Sequence, residues 1–266
     1  LATAPLGAQQ METISVSRAV SGEEQIDVRV KFGAGELFLK PGSRGTLYAM
    51  DLRYDARDFE PIHEFDGRRL ELGLEGRGRN INLDDDDAVG RIELELSPGV
   101  PMDLRLEFGA GRGEIDLGGL ALRDLDIETG ASDTRIDVTK PNPDRLRRVD
   151  LDVGAAEFTA LRLGNLNPEQ ISVNAGVGDI TLDLTGSLEH DVRLDVDLGL
   201  GAIEIRVPEG VGVRVEKSSF LTSLEADDFI KRDGVYYSPE WQEASRRIEV
   251  EIDAAFGSIE IVRVRR

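Results

Sequence analysis

The chain has 266 residues and no cysteine, which excludes disulfides, thiolate metal sites and thiol nucleophiles together. Histidine, the usual general base near neutral pH, occurs only at His63 and His190. Neither lies in a recognisable motif, and no G-x-S-x-G nucleophile elbow is present. Aromatic residues make up 5% of the chain, fewer than a β-sandwich core ordinarily uses. No run of about 18 apolar residues occurs, so no segment reads as a membrane-spanning helix. Basic residues are in the minority, 32 against 52 acidic, and a net charge of −20 repels nucleic acid.

Glycine is abundant, and the 29 glycines recur at intervals, as corners in a regular architecture would. Taking the apolar residue of each G-x-I-x-I-like element as a marker gives Ile115, Ile136, Phe158, Ile180, Ile203, Leu224 and Ile259. Successive differences are 21, 22, 22, 23, 21 and 35 residues. A short corner precedes most markers, for example Gly109-Ala110-Gly111, Gly176-Val177-Gly178 and Gly199-Leu200-Gly201. Alternating strands flank each corner, as in HDVRLDVDL before Gly199 and GAIEIRV after it. Two strands of five to six residues and two turns consume roughly 22 residues, one coil of a narrow solenoid. The fold class expected is therefore all-β, a parallel β-helix-like solenoid in which no coil can bury its face alone.

Residues 11–101 keep the β character with a looser rhythm and read as an N-terminal cap-like subdomain, followed by the repeats over 102–266. An insertion near 226–247 accounts for the long interval. In it, Asp233-Gly234 predicts a tight hairpin turn, and Ser238-Pro239 one helical turn. Leu1 to Gln10 is uncharged and rich in small residues, like the end of a secretory signal with cleavage after Ala8, which predicts an extracytoplasmic protein.

The segment FGAGELFLKPGSRGTLYAMDLRYDARDFEPIHEF resembles the N-terminal part of toast-rack proteins. DGVYYSPEWQEASRRIEVEIDAAFGSIEIV resembles the end of the LiaF-like C-terminal domain. Together the resemblance covers nearly the whole chain from about residue 11. It implies a β-solenoid of the cell envelope, with adhesin-head-like relatives and some members that sense envelope stress through a partner kinase. Its motifs are corners and core positions, so it implies a fold and a compartment rather than an activity.

Candidate sites are few. Asp84, Asp85, Asp86 and Asp87 form the densest acidic run and could supply oxygen ligands to Ca²⁺, although no EF-hand or nonapeptide pattern surrounds them. An exposed loop kept soluble by repulsion is the favoured reading of the run. Phe229, Tyr236, Tyr237 and Trp241 concentrate aromatics in the insertion, either as a partner-binding patch or as cover for the core. Acidic side chains along the strands read as a solvated face interleaved with Arg147, Arg193 and Arg214. The glycine corners run into strands, not helices, so they do not form a phosphate loop. No catalytic residue or cofactor is expected.

The function expected is an exported envelope or extracellular binding module, not an enzyme, that presents its surface to a protein or glycan. Three alternatives stand beside it: a self-associating filament subunit, a secreted carbohydrate-active enzyme and an accessory protein of envelope-stress sensing.

Overall fold

The computed structural model describes residues 10–77 and 90–265. Fifteen strands form one continuous sheet, without an α-helix among the described residues. The solenoid consists of long strands bent at a central corner: β2 (Ile26–Pro41), β7 (Met102–Asp116), β8 (Leu122–Asp137), β9 (Leu146–Leu161), β10 (Pro168–Asp183), β11 (Val192–Pro208), β12 (Gly212–Glu225) and β15 (Arg247–Val264). All eight pair in parallel. Each contributes one limb before the corner and one after, and the apolar faces of both limbs meet in a single core from Ile26 to Ile261.

Register follows the repeat. Inward Leu106 stacks on Ile127, then Leu151, Val173 and Val196, so the coils advance by 21, 24, 22 and 23 residues. The marker row needs one correction. Phe158 stacks on Thr134 and Gly113, not on Ile136 and Ile115, which sit two residues further along. Gly113 breaks the apolar pattern because the Phe108 ring fills that place; a Cβ on Gly113 would meet Phe108 Cε1 at 3.4 Å.

The corner explains the glycines. From Ala175 to Ile180, Leu198 to Ile203 and Ala254 to Ile259, the buried positions step by five residues. An odd step swaps faces in a straight strand, so the chain must roll over at the bend. Gly201 and Gly257 do this at φ +141° and +139°, where an L side chain is strained. Neighbouring coils also approach closely there: a Cβ on Gly201 would lie 1.9 Å from the Gly178 carbonyl oxygen. On the opposite edge, buried asparagines stitch the return loops together. Asn165 donates through Nδ2 to the Val138 carbonyl at 2.8 Å and accepts from the Ser187 amide at 2.9 Å.

Both ends depart from simple stacking. At the N-terminal end the coil beside β2 is split: β5 (Arg69–Gly76) pairs with its first limb and β6 (Gly90–Leu96) with its second. Two antiparallel branches grow from there, β4 (Phe59–Phe65) on β5, and β3 (Thr46–Asp55) then β1 (Met11–Ala19) on β6. The Arg18 guanidinium lies over the Phe65 ring at 4.4 Å and clasps the branches. At the C-terminal end the stack is permuted. β15, last in sequence, inserts between β11 and β12, so the coil bearing Leu224 is outermost and the Ile259 coil lies inside it.

Asp55 anchors the turn after β3. Hydrogen bonds from the Arg57 side chain, opposed by burial, hold its carboxyl down from 3.8 to about 2, with the Arg57 and Gln10 amides adding to the effect. A depressed folded-state value stabilises the fold above the unfolded value, and that contribution disappears as pH falls through about 2. Asp55→Asn should therefore cost about 1–3 kcal/mol at neutral pH, with the difference from the parent shrinking between pH 4 and pH 2; a constant difference in chemical denaturation would refute the assignment. Gly201→Ala should cost about 3 kcal/mol, from combined strain and clash, and an unchanged melting temperature would show that the corner tolerates a Cβ.

Candidate binding surfaces

The insertion folds as expected at its turn. Asp233 and Gly234 have φ of 50° and 86°, the geometry a tight hairpin needs, and join β13 (Ile230–Arg232) to β14 (Val235–Tyr237). Strand β14 then pairs antiparallel with the first limb of β12, Tyr236 opposite Val215 and Tyr237 opposite Arg214. Ser238 is buried: its Oγ accepts from the Val213 amide and its own amide donates to the Val213 carbonyl, both at 2.9 Å. Residues 238–244 form hydrogen-bonded turns, closed by Trp241 N to Ser238 O at 3.1 Å and Ala244 N to Glu240 O at 2.8 Å.

Pleating divides the four candidate aromatics. Phe229 and Tyr236 pack against the core as half-buried cover. Tyr237 points to the other side and meets Trp241, ring centroids 5.7 Å apart and tilted by 54°. The Arg247 guanidinium covers one face of Trp241 at 5.3 Å. An open cleft of about 390 Å³ adjoins the pair, with Ile230, Arg232, Gln242 and Glu243 among its other lining residues. None of those four stood out in the sequence; the one signal was their position beside the hairpin turn.

The outer face of the first limbs is acidic and mostly neutralised. Arg105 reaches Glu107 at 3.0 Å, Asp126 at 3.3 Å and Glu128, while Arg193 bridges Asp195 at 3.0 Å and Glu251 at 2.9 Å. Arg147 and Arg214 pair with Asp124 and Glu216. Among the described residues, Asp126, Glu128 and Asp152 bring carboxylate oxygens within 4.8 Å of one another, and Arg105 already supplies the counter-charge to two of them. Burial pushes the Asp150 carboxyl up, as do Asp126 and Asp152, with Arg148 opposing. Asp84 to Asp87 lie outside the described residues. His63 and His190 are both exposed, on β4 and on the loop before β11, and share no hydrogen-bonding partner.

The far end of the stack carries its own safeguard. Lys217 occupies the inward row, in register with Ile252, where a further coil would require an aliphatic residue. Its ammonium donates to the Thr222 carbonyl on the second limb. β14 covers Arg214 and Val215 on the same limb, so charge and hairpin together blunt this edge. At the opposite end, Thr13 to Ser17 are paired with β3 of the same chain.

Continuous parallel coils, a filled core and surfaces confined to outward faces and one hairpin define a repeat protein of the solenoid class. The chain belongs to the toast-rack family: the N-terminal domain of toast_rack matches residues 6–159. The family described as cell wall-active antibiotics response LiaF, C-terminal, matches residues 163–261. The sheet runs through the boundary between the two matches without interruption. Among solved structures, a candidate cell adhesion protein from Clostridium sporogenes is 18% identical, with a TM-score of 0.50 over 95% of this chain and 100% of that one. A candidate adhesin from Bacteroides fragilis is 11% identical (TM-score 0.37, covering 94% and 97%). A candidate lipid binding protein from Parabacteroides distasonis is 8% identical (TM-score 0.35, covering 96% and 97%). No curated protein matches.

Replacing Lys217 by valine should remove the block at the outer coil and produce concentration-dependent association in sedimentation velocity. A variant that sediments as the parent does at every concentration would show that the lysine does not guard the edge.

Proposed function

We propose that the chain is an exported, non-catalytic module of the cell envelope that holds a glycan in the cleft formed by Tyr237 and Trp241. The pairing of these two rings beside an open cleft is the observation that carries the reading. Aromatic faces bind the apolar faces of sugar rings, and Arg232, Gln242 and Glu243 at the same cleft can hydrogen-bond hydroxyl groups. Two affinities support the envelope setting: the LiaF-like match, described by response to cell wall-active antibiotics, and the fold shared with a candidate cell adhesion protein.

Binding fits better than catalysis. Hydrolysis of a glycan needs an acid and a base flanking one bond, and many of the outward carboxylates are instead tied to arginines along the coils. A finite module fits better than a filament subunit, because Lys217 and β14 blunt the end at which coils would be added. A part in envelope-stress sensing would act through the same binding event.

Trp241 is the single tryptophan, so tryptophan emission reports on this cleft. Soluble envelope oligosaccharides should shift or quench its emission saturably, and Tyr237→Ala should weaken the response about tenfold. An unresponsive emission spectrum across a panel of peptidoglycan fragments and surface polysaccharides would overturn the glycan reading.

A further inference from the structure

The central residue of each corner faces outward, and its size changes along the stack. Ala34, Ala110 and Ala131 occupy it in register in three N-terminal coils, and Ala155 takes the corresponding place on β9. The last four coils carry Val177, Leu200, Phe256 and Leu221, again in register. They are 49, 51, 46 and 62% exposed. Single exposed aliphatics need no explanation, but four on adjacent strands form a continuous ridge.

A groove of about 820 Å³ runs beside the ridge. Its floor is Gly176, Gly199 and Ala255, small because neighbouring coils touch there. Its lining bears Asp197 and Asp253, directly opposite one another in the register. Like charges so placed repel. Elsewhere on this face arginines neutralise many of the acids, among them Glu107, Asp150, Asp195 and Glu251. Asp197 and Asp253 have no ion pair among the described residues, as is also true of Asp152 and Glu249 on this face and of Asp179 across the ridge. Stability would favour an arginine here and polar residues on the ridge. The sequence keeps an apolar ridge next to the groove floor, and uncompensated Asp197 and Asp253 on the groove lining.

We propose that this groove, across the corners of β10, β11, β15 and β12, is the docking site for a basic amphipathic α-helix of a partner protein. Complementarity selects the charge: leucine-like residues cover the ridge while lysine or arginine on the adjoining face neutralises Asp197 and Asp253. Spacing selects the helix. Strands repeat at about 4.8 Å and a helix advances about 5.4 Å per turn, so one residue per turn meets each coil, whereas same-face residues of a strand lie about 6.7 Å apart. The site is separate from the Tyr237–Trp241 cleft and stands whether or not that cleft binds a glycan.

The test uses the full chain and fluorescence anisotropy with a synthetic Lys/Leu helix of about 18 residues, its leucines on one face. A Lys/Ser peptide of equal charge is the control, because a net charge of −20 attracts any cation. The Lys/Leu helix should bind, and Leu200→Ser with Phe256→Ser should weaken it at least about tenfold while the melting temperature is retained. Asp197→Asn with Asp253→Asn should weaken binding similarly yet raise the melting temperature, which a purely structural role for these acids would not do. Equal binding of both peptides, or affinity unchanged by the ridge substitutions, overturns the proposal in favour of a diffuse field. Loss of self-association in sedimentation, or of phosphatidylcholine vesicle binding, in the ridge variant also overturns it, by assigning the ridge to a second copy or to a bilayer.

Discussion

Everything in this molecule depends on the parallel contact between bent strands at the corner. Each coil can bury its apolar face only if both limbs turn toward the same core, and the five-residue step forces the backbone to roll there. Glycine supplies the positive φ at Gly201 and Gly257 and the absence of a Cβ that lets one coil's backbone rest on the carbonyl of the next. At Ser132 and Ala156, which stand in register with Gly111 and Gly178, the same five-residue step is made without a positive φ. The core, the outward charge rows and the ridge are all consequences of keeping these corners in register.

A stack of this kind leaves two problems, its ends and its surface. The N-terminal end is closed by splitting a coil and growing antiparallel branches, which turn the direction of pairing and consume both limbs. The C-terminal end is closed by permuting the last coils, folding a hairpin over one limb and placing Lys217 in the inward row. On the surface, period-two alternation sends Asp, Glu and Arg outward, and in-register stacking turns them into ladders whose charges must be interleaved. Many are. Acids without an ion pair occur in several coils, Asp152 and Glu157 on β9 among them, and two of them, Asp197 and Asp253, lie opposite one another beside the corner that carries the large outward residues.

The candidate aromatics show how tertiary context splits a sequence cluster. Phe229, Tyr236, Tyr237 and Trp241 lie within a short stretch, yet alternation in a three-residue strand puts Tyr236 against the core and Tyr237 against Trp241. Ser238, expected to open a helical turn, bonds to both backbone groups of Val213 and so fixes the hairpin to the last coil. The ridge was visible as letters, Val177 and Leu200 between glycines, but a corner motif read for its glycines conceals the residue between them.

Period and phase were legible in the sequence because they are local: alternation sets which side chains face inward, and recurring small residues mark where the chain bends. The coil length, the hairpin turn at Asp233-Gly234 and the outward position of the acids followed from that alone. Coil order did not. Nothing in the residues of β12 and β15 states which of them lies against β11, since both carry the same alternating pattern; the choice depends on which packing lets the hairpin cover an edge and Lys217 reach a carbonyl. The two-residue slip of the markers at Ile115 and Ile136 has the same origin, because only stacking shows that the Phe108 ring, from the other limb, occupies the space Gly113 leaves open. Local pattern determined what each strand is, and long-range contact decided where it stands.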